Sequence, residues 1–512
     1  MKKTKKIICL IMSALMCILI LSSCGGETQN QPQNPNSAEQ PANDGASAEQ
    51  VPDDAPESEK TEPVLQYMGY VFPDENYGGY EFRILNYEIQ PWAYTVMSME
   101  EQTGDAIDDA IYTRNAAVEE SLNIKITEVL VPWGGMEAPL NKSVRAGTDD
   151  YDISMLHALA VGATAQRGSF VDLKNILSLE LGEPWWDQNA NKNLELAGRL
   201  FFTTTDATAF TFDMMGAMYF NKAMIGDLAL ENPYSLVREN KWTMDKMLEM
   251  MRAARRDADG DGVFTYEDIW GFSAHAVDDQ YFFSGPKMDL VGKDNDGYPV
   301  LRVPDEQFAA VYAKIREIFN LSDGYCISPW YNEGNTPGKK DGIGSETFFV
   351  SGNALFMCQA LSVSRMMRES DTDFGIIPFP KYNEAQENYY AVLNGNFPTF
   401  QILITQKDPE MAGVIINALT AASSTTLKPA YYDVALNYKL LRDEDSVEMV
   451  DLKLKNRAYN LALIYGWGGM ADEFRKAAFS PTGENPVTVY EKYAEKTQTA
   501  IDKMINAFKE LN

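Results

Sequence analysis

The sequence predicts an α/β fold with largely parallel sheets, and three observations carry this prediction. Short apolar runs that suit buried strands alternate with segments of helical spacing. The chain has 512 residues, which is too long for one hydrophobic core and predicts two or three domains. Hydrophobic residues make up 45% of the chain and aromatic residues 11%, as is typical of globular proteins.

The first predicted sheet is read from the spacing of apolar residues. Tyr80–Tyr87 (YEFRILNY) and the segments 123–127 and 152–156 are short apolar or β-branched runs, which predict strands. Residues 107–122 carry apolar side chains at helical spacing and predict a helix between the first two strands. Strands joined through helices form parallel sheets, whose ligands bind beyond the carboxyl ends of the strands. Candidate site residues are therefore those that follow these three strands.

Later segments continue the alternation of strands and helices. Residues 242–255 predict a helix, and residues 373–380 predict a strand that is ended by prolines. Residues 489–508 place their apolar side chains on one helical face and predict a C-terminal helix. The acidic turn 294–297 (DNDG) predicts a hairpin.

The chain begins with an export signal. A lysine-rich start precedes the apolar stretch 7–21, and small residues follow it. The junction Leu21-Ser22-Ser23-Cys24 matches the lipobox of bacterial lipoproteins. This resemblance implies that residues 1–23 are a signal peptide and that Cys24 is lipidated. A leader that is cleaved without lipidation, or one that is kept as a membrane anchor, is the alternative.

Residues 24–62 predict a flexible tether behind the lipid anchor. They are rich in Gly, Gln, Asn, Pro, Ser, Ala and Glu and have almost no large apolar side chain. Such a segment cannot bury enough surface to offset its ordering entropy. As a flexible coil it would span on the order of 35 Å, which holds a domain clear of the membrane.

The charge balance excludes several classes of partner. The chain has 44 Lys+Arg against 74 Asp+Glu and a formal net charge of −30. Nucleic acid and anionic lipid surfaces are therefore poor partners for this chain. With only two histidines, the chain cannot build a histidine-rich zinc site.

One acidic loop follows the ligand pattern of EF-hand-like calcium sites. Asp257, Asp259 and Asp261 stand at positions one, three and five, and a glycine stands at position six. Val263 would offer its backbone carbonyl at position seven, and Asp268 stands at position twelve. The sequence thus predicts a structural Ca²⁺ here. A solvated acidic turn without a metal is the alternative.

Seven segments in a fixed order carry a resemblance to a known family. They are NIKITE (123–128), AGTDDYDISML with FVDL (146–156 and 170–173), YFNKAM (219–224), KWTMDKMLEM (241–250), FVSGNALFM (349–357) and DFGIIPFPK (373–381). Together with the lipobox, they resemble the extracellular solute-binding proteins, the carbohydrate-binding lipoproteins of ABC importers. The resemblance covers the chain after the tether.

This resemblance implies a two-lobe, type II periplasmic-binding-protein-like fold, in which each lobe is a largely parallel sheet flanked by helices. Crossing strands join such lobes, so each lobe is discontinuous in sequence. Lobe one would take residues 78–206 and 393–441, and lobe two would take residues 207–392 and 442–512.

The resemblance also implies a function. The chain would be a monomer that captures a small solute, an oligosaccharide, by lobe closure and delivers it to the permease subunits of an ABC transporter. It would be no enzyme and would lie on the extracellular face of the cell membrane. Segment 429–446 resembles clostridial members of the family, which favours a Gram-positive cell surface.

A sugar receptor needs aromatic platforms for apolar C–H faces and polar groups for hydroxyls. Trp92 and Glu88 follow the first predicted strand, and His157 follows the third. The candidate ligand-binding residues are Glu88, Trp92, His157, Asp206, Tyr281, Trp330, Tyr331, Asn394 and Trp467. Packing in the core or on the surface is the alternative for each aromatic residue. Asp206 and Asn394 would otherwise be structural groups near the crossings.

Two other functions stay open from the sequence. A secreted glycoside hydrolase would also be rich in aromatic and acidic residues, although GxSxG and HExxH motifs are missing from the sequence. A cell-surface carbohydrate sensor or adhesion module would use the same fold without a transporter. Cys326 and Cys358, the two cysteines beyond the leader and its lipobox, are either a disulfide or two buried free thiols.

Overall fold

Strands and helices alternate through the computed structural model. It describes residues 68–275, 277–321, 325–328, 344–367, 369–437, 443–480 and 483–511, with the backbone alone for 433–437. The strands are β1 (Tyr80–Tyr87), β2 (Ile124–Val131), β3 (Ile153–Ser154), β4 (Gly216–Asn221), β5 (Trp270–Ser273), β6 (Val291–Lys293), β7 (Pro299–Leu301), β8 (Cys326–Ile327), β9 (Ala354–Ala360), β10 (Phe374–Ile377), β11 (Ala391–Val392), β12 (Gln401–Ile402) and β13 (Arg457–Ala458).

Helices fill most of the segments between the strands. The first nine are α1 (Ala106–Leu122), α2 (Glu137–Ala146), α3 (Ala158–Ala165), α4 (Gln188–Leu194), α5 (Ala209–Asp213), α6 (Lys222–Asp227), α7 (Pro233–Arg238), α8 (Met244–Ala254) and α9 (Asp279–Ser284). The next nine are α10 (Glu306–Ile318), α11 (Ser345–Val350), α12 (Val363–Met366), α13 (Pro409–Ser423), α14 (Leu427–Asn437), α15 (Glu444–Lys455), α16 (Leu461–Tyr465), α17 (Met470–Phe479) and α18 (Pro486–Glu510). Among these described helices, none has the length and apolar composition that a membrane crossing needs.

The strands form two main sheets. The first has the order β12-β3-β1-β2, in which β1 runs parallel to both β2 and β3 and β12 runs antiparallel to β3. The second has the order β10-β4-β9-β5-β8. Here β5 is parallel to β8 and β9, whereas β4 is antiparallel to β9 and β10. The α/β prediction is confirmed, and the second sheet is mixed because β4 enters it against the direction of its neighbours.

The local predictions agree with the observed elements. The helix predicted over 107–122 is α1, which Asp105 caps by accepting from the amides of Ile107 and Asp108. The C-terminal helix is α18, which has a proline in its first turn and Asn485 as its N-cap. The acidic turn 294–297 joins β6 to β7 in an antiparallel hairpin, as predicted.

Three segments pass between the two sheets. The segment 203–206 pairs with Phe400 through Thr203 and leads through α5 to β4. The segment 391–400 pairs with Met215 and with His157 before it enters β12 of the first sheet. The third segment contains β13 (Arg457–Ala458). This strand pairs in parallel with β11, which lies at the start of the second segment. The first sheet is therefore discontinuous in sequence, while the exact lobe boundaries stay a prediction.

A buried carboxylate fixes β1 against β3. Asp152 has a fully buried side chain and accepts hydrogen bonds from the Arg83 amide at 2.6 Å and from the Tyr80 hydroxyl at 2.8 Å. Arg83 also pairs with this carboxylate at 2.9 Å. Since a buried charge is tolerated only when it is paired and hydrogen-bonded, this cluster specifies the register of the two strands.

The two cysteines in the folded part are free and buried. Cys326 lies on β8 and Cys358 on β9, and β5 stands between these strands. Of the two alternatives that the sequence left open, the structure has two separate thiols. Burial raises the pKa of both thiols well above the ordinary value, so they are held in the protonated form.

The glycine-rich turn GWGG packs Trp467 into the C-terminal part of the core. Trp467 is 4% exposed and stacks on Tyr465 with ring centroids 4.6 Å apart. Gly468 has a φ of +64°, and a Cβ atom there would lie 2.7 Å from the backbone of Thr497 in α18. Gly469 has a φ of +77°, but a Cβ atom there would meet nothing within 4 Å.

This pair of glycines gives a matched test of the packing. We expect Gly469→Ala to lower the free energy of unfolding by about 1 kcal/mol through backbone strain alone. Gly468→Ala should cost about 3 kcal/mol, because it adds a clash with α18 to the same strain. Denaturant unfolding of both variants measures the difference. Equal losses would mean that α18 does not approach this turn.

Candidate functional site

Three loops carry aromatic side chains at the carboxyl edge of the first sheet. Trp92 follows β1, Trp133 follows β2 and His157 follows β3. The ring centroids of Trp92 and Trp133 are 4.7 Å apart at an interplanar angle of 81°. His157 stacks on Trp133 at 5.1 Å and 21°. All three rings are partly exposed, so they form one continuous aromatic surface.

Two further rings support this surface. Tyr87, at the end of β1, is buried and lies 4.6 Å from Trp133. Phe210 of α5 lies 6.0 Å from Trp133 and 6.4 Å from Trp92. Because α5 follows the first crossing segment, the surface lies beside the connection between the sheets. We call these five residues, Tyr87, Trp92, Trp133, His157 and Phe210, the aromatic cluster.

The cluster is uncharged near neutral pH. Burial lowers the pKa of His157 to about 4, although the nearby charge of Glu137 acts in the opposite direction. The Nδ1 atom of His157 is buried and has no hydrogen-bond partner in the described part of the chain. Burial likewise raises the pKa of Tyr87. The imidazole therefore serves as a neutral aromatic plane.

A buried ion pair joins this edge to the second sheet. Arg365 lies on α12, just after β9, and both its terminal nitrogens donate to the carboxylate of Asp213. Asp213 also accepts from the Tyr94 amide in the loop after β1, at 2.7 Å, and from the Tyr431 hydroxyl at 2.8 Å. Burial raises the pKa of Asp213 even though Arg365 lowers it. The carboxyl edges of both sheets are thus tied to one carboxylate.

Two predicted site residues bind each other. Tyr281 is fully buried and stacks on Phe379 with centroids 4.6 Å apart. The Tyr281 hydroxyl accepts from the side-chain amide of Asn394 at 3.0 Å. This contact gives each side chain a partner within the protein, as expected of packing residues.

The other predicted ligand residues are dispersed. Glu88 is exposed beside the cluster, and Trp467 is buried against Tyr465, whereas Asp206 lies in a separate cavity. Asp206 binds Arg457 at 2.9 Å. Trp330 and Tyr331, like Cys24, lie outside the described residues. Of the nine predicted residues, the structure brings Trp92 and His157 together in one aromatic surface.

Sequence reasoning missed Trp133 and Phe210. The rule that ligands bind past the strand ends would have found Trp133, but the second strand was predicted to end at Thr127 instead of Val131. Phe210 carries no local signal, because its position depends on where the first crossing segment leads.

The predicted calcium loop brings three carboxylates together. Oxygen atoms of Asp257, Asp259 and Asp261 lie within 4.8 Å of one another. The amides of Gly262 and Gly260 donate to Asp257 and lower the pKa of its carboxyl group. Val263 is exposed on the same loop.

Asp268, the predicted ligand at position twelve, does not lie within that carboxylate group. It is fully buried and accepts from the amides of Ala258 at 2.7 Å and Thr265 at 2.6 Å. Its carboxylate thus holds the ends of the loop together.

Comparisons with known proteins bear on the fold of the chain. No protein-family model and no curated protein sequence matches the chain. Among solved structures, it is similar to the galacto-N-biose-/lacto-N-biose I-binding protein of an ABC transporter from Bifidobacterium longum, determined with lacto-N-biose. The TM-score is 0.54 at 11% identity, covering 84% of this chain and 98% of that chain.

Two further solved structures are similar. A sugar transporter protein of Rhizobium etli in an open conformation has a TM-score of 0.54 at 12% identity, covering 84% of this chain and 100% of that chain. An ABC substrate-binding protein of Listeria monocytogenes, in complex with cycloalternan, has a TM-score of 0.50 at 12% identity, covering 85% and 100%. The chain therefore has the type II periplasmic-binding-protein-like fold of these ABC-transporter binding proteins.

Proposed function

We propose that this chain is a substrate-binding protein that captures an oligosaccharide and delivers it to the permease subunits of an ABC transporter. The observation that carries the proposal is the aromatic cluster at the carboxyl edge of the first sheet. Its partly exposed rings, Trp92, Trp133 and His157, offer flat apolar faces of the kind that stack on sugar C–H surfaces. The shared fold supports the same function.

Binding would proceed by closure of the two sheets on the ligand. The cluster belongs to the first sheet and its crossing segment, while Arg365 stands at the carboxyl edge of the second. A sugar held on the cluster would meet groups from the second edge only when the two edges approach. Since a ligand with better contacts in the closed form shifts the population towards it, sugar binding would drive closure.

We propose binding without chemistry at this surface. Glycoside hydrolysis requires two carboxyl groups placed on either side of the scissile bond. The proposed surface is made of aromatic rings, with the exposed carboxylate of Glu88 beside it. An assay of sugars released after binding distinguishes the two functions, because a binding protein returns its oligosaccharide intact.

We propose that lipidated Cys24 and the tether 24–62 hold the protein on the outer face of a Gram-positive cell membrane, as a monomer. The lipobox and the polar composition of the tether support this placement.

We also propose that the loop with Asp257, Asp259 and Asp261 binds a structural Ca²⁺ through these carboxylates and the carbonyl of Val263. The proximity of three exposed or half-buried carboxylates supports a divalent cation there.

The first prediction from the proposed function concerns the aromatic cluster. A thermal-shift screen over mono- and oligosaccharides should identify a ligand that raises the melting temperature. Trp133→Ala should then weaken binding of that sugar by about 1–3 kcal/mol, because it removes the central ring of the surface. Tyr490→Ala, a partly buried aromatic on α18, is the control and should leave affinity unchanged. Equal affinities of the wild type and Trp133→Ala, measured by calorimetry, would exclude the cluster as the sugar site.

The second prediction concerns pH. Because burial lowers the pKa of His157 to about 4, the imidazole stays neutral as the pH falls from 8 to about 5.5. Sugar affinity should be constant over that range. A histidine with an ordinary pKa of about 6.5 would instead give a step near that pH. A step near pH 6.5 that is lost in His157→Gln would contradict the buried, neutral imidazole.

The third prediction concerns calcium. Protein stripped with EDTA should take up one Ca²⁺ in calorimetry, and calcium should raise its melting temperature. The double change Asp259→Asn with Asp261→Asn should abolish both effects. Asp296→Asn, in the other acidic turn, is the matched control and should keep them. Calcium uptake that survives the double change would place the ion elsewhere.

A further inference from the structure

A cavity of about 250 Å³ lies apart from the aromatic cluster. Its walls come from the segment 184–189, from Asp206, from the end of α13, from the start of α14 and from the end of α15 with Arg457. None of the five cluster residues lines it. The cavity is therefore separate from the proposed sugar site.

Arg457 lines this cavity and has donors that no described residue uses. Its side chain is only 6% exposed, and its Nη1 atom binds Asp187 at 3.1 Å and Asp206 at 2.9 Å. Neither Nε nor Nη2 of Arg457 has an acceptor among the described residues. These two nitrogens form the edge of a guanidinium that binds carboxylates and phosphates through two parallel hydrogen bonds. A nearly buried arginine thus has a strong anion-binding edge that the described residues leave unused.

The acidic groups of the cavity are already occupied. Asp187 accepts from the Tyr459 hydroxyl at 2.6 Å and from the Ala190 amide at 3.0 Å, besides its contact with Arg457. Asp206 binds Lys428 at 3.4 Å in addition to Arg457. These carboxylates therefore have their charges compensated within the protein.

The balance of charge in the cavity is positive. Arg457, Lys428 and Lys455 line it against two acidic side chains, in a chain whose formal net charge is −30. Helix α14 begins at Leu427, so the positive end of its dipole lies beside Lys428. This surplus of one positive charge, in an otherwise acidic protein, favours an anionic ligand at this place.

We propose that this cavity is a binding site for a small oxyanion, either the carboxylate of a sugar acid or an inorganic phosphate or sulfate. The anion accepts from Nε and Nη2 of Arg457, and Lys428 supplies the second positive charge. Arg457 lies on β13 and Asp206 on the first crossing segment, so the bound anion sits between segments that join the two sheets. The site is independent of the proposed sugar site and does not require it.

The experiment is a calorimetric titration of the full chain with sodium sulfate, sodium phosphate and sodium glucuronate, at constant ionic strength set with sodium chloride. The main variant is Lys428→Met, and the matched control is Lys174→Met. Both lysines are ion-paired to a carboxylate, and their side chains are 40% and 41% exposed. Arg457→Lys tests the two-nitrogen edge directly, while Lys428→Met covers the case in which the Arg457 variant does not fold.

We expect one saturable site, with affinity reduced about fivefold or more in Lys428→Met and unchanged in Lys174→Met. Binding of glucuronate alone would identify a sugar acid as the ligand, and binding of phosphate or sulfate alone would identify an inorganic oxyanion. Both results support the site.

Two results would overturn it. One is that sulfate, phosphate and glucuronate give no saturable binding heat beyond that of sodium chloride alone. The other is that the anion binds Lys428→Met and the wild type with equal affinity. Trp133→Ala separates this proposal from the proposed function, because it should weaken sugar binding and leave anion binding intact. If Trp133→Ala abolishes anion binding, the anion occupies the aromatic cluster and the second site is excluded.

Discussion

The parallel pairing of β1 with both β2 and β3 determines where the candidate site lies. Because the three strands run in one direction, the loops that follow them leave the sheet at one edge. Trp92, Trp133 and His157 come from positions far apart in sequence, yet their rings are in contact there. The ion pair of Arg83 with the buried Asp152 holds β1 against β3, so the position of two of these three loops depends on a charged contact between their strands.

The second constraint is the carboxylate of Asp213. It is fully buried, and such a charge needs several donors to be tolerated. Its donors come from the loop after β1, from α12 at the carboxyl edge of the second sheet and from α14. A single group thereby sets the position of both carboxyl edges. The position of the candidate site is thus set mainly by polar contacts, such as those of Asp213, that lie outside the aromatic surface proposed to bind the ligand.

The sequence predicts the elements well because their signals are local. Apolar spacing, a capping aspartate and a proline in the first turn mark β1, α1 and α18 correctly. The extent of β2 was missed although the apolar residues Val129, Leu130 and Val131 continue the strand beyond Thr127. The burial of Tyr281 and Trp467 could not be predicted, since their partners Asn394 and α18 are brought to them by the tertiary fold. Trp92 and His157 were predictable because strand ends are local features.

The two sites should respond differently to closure of the sheets. Trp92, Trp133 and His157 lie on loops that follow strands of the first sheet, so their mutual distances do not depend on the second sheet. Arg457 and Asp206 instead lie on different segments that pass between the sheets, and a rotation of one sheet against the other would change their separation. A ligand that bridges the two sheets favours the closed form. An anion bound to Arg457 instead favours the arrangement of the crossing segments in which Nε and Nη2 of Arg457 still reach it. Any coupling between the sites must therefore pass through the crossing segments, and by linkage it must act equally in both directions.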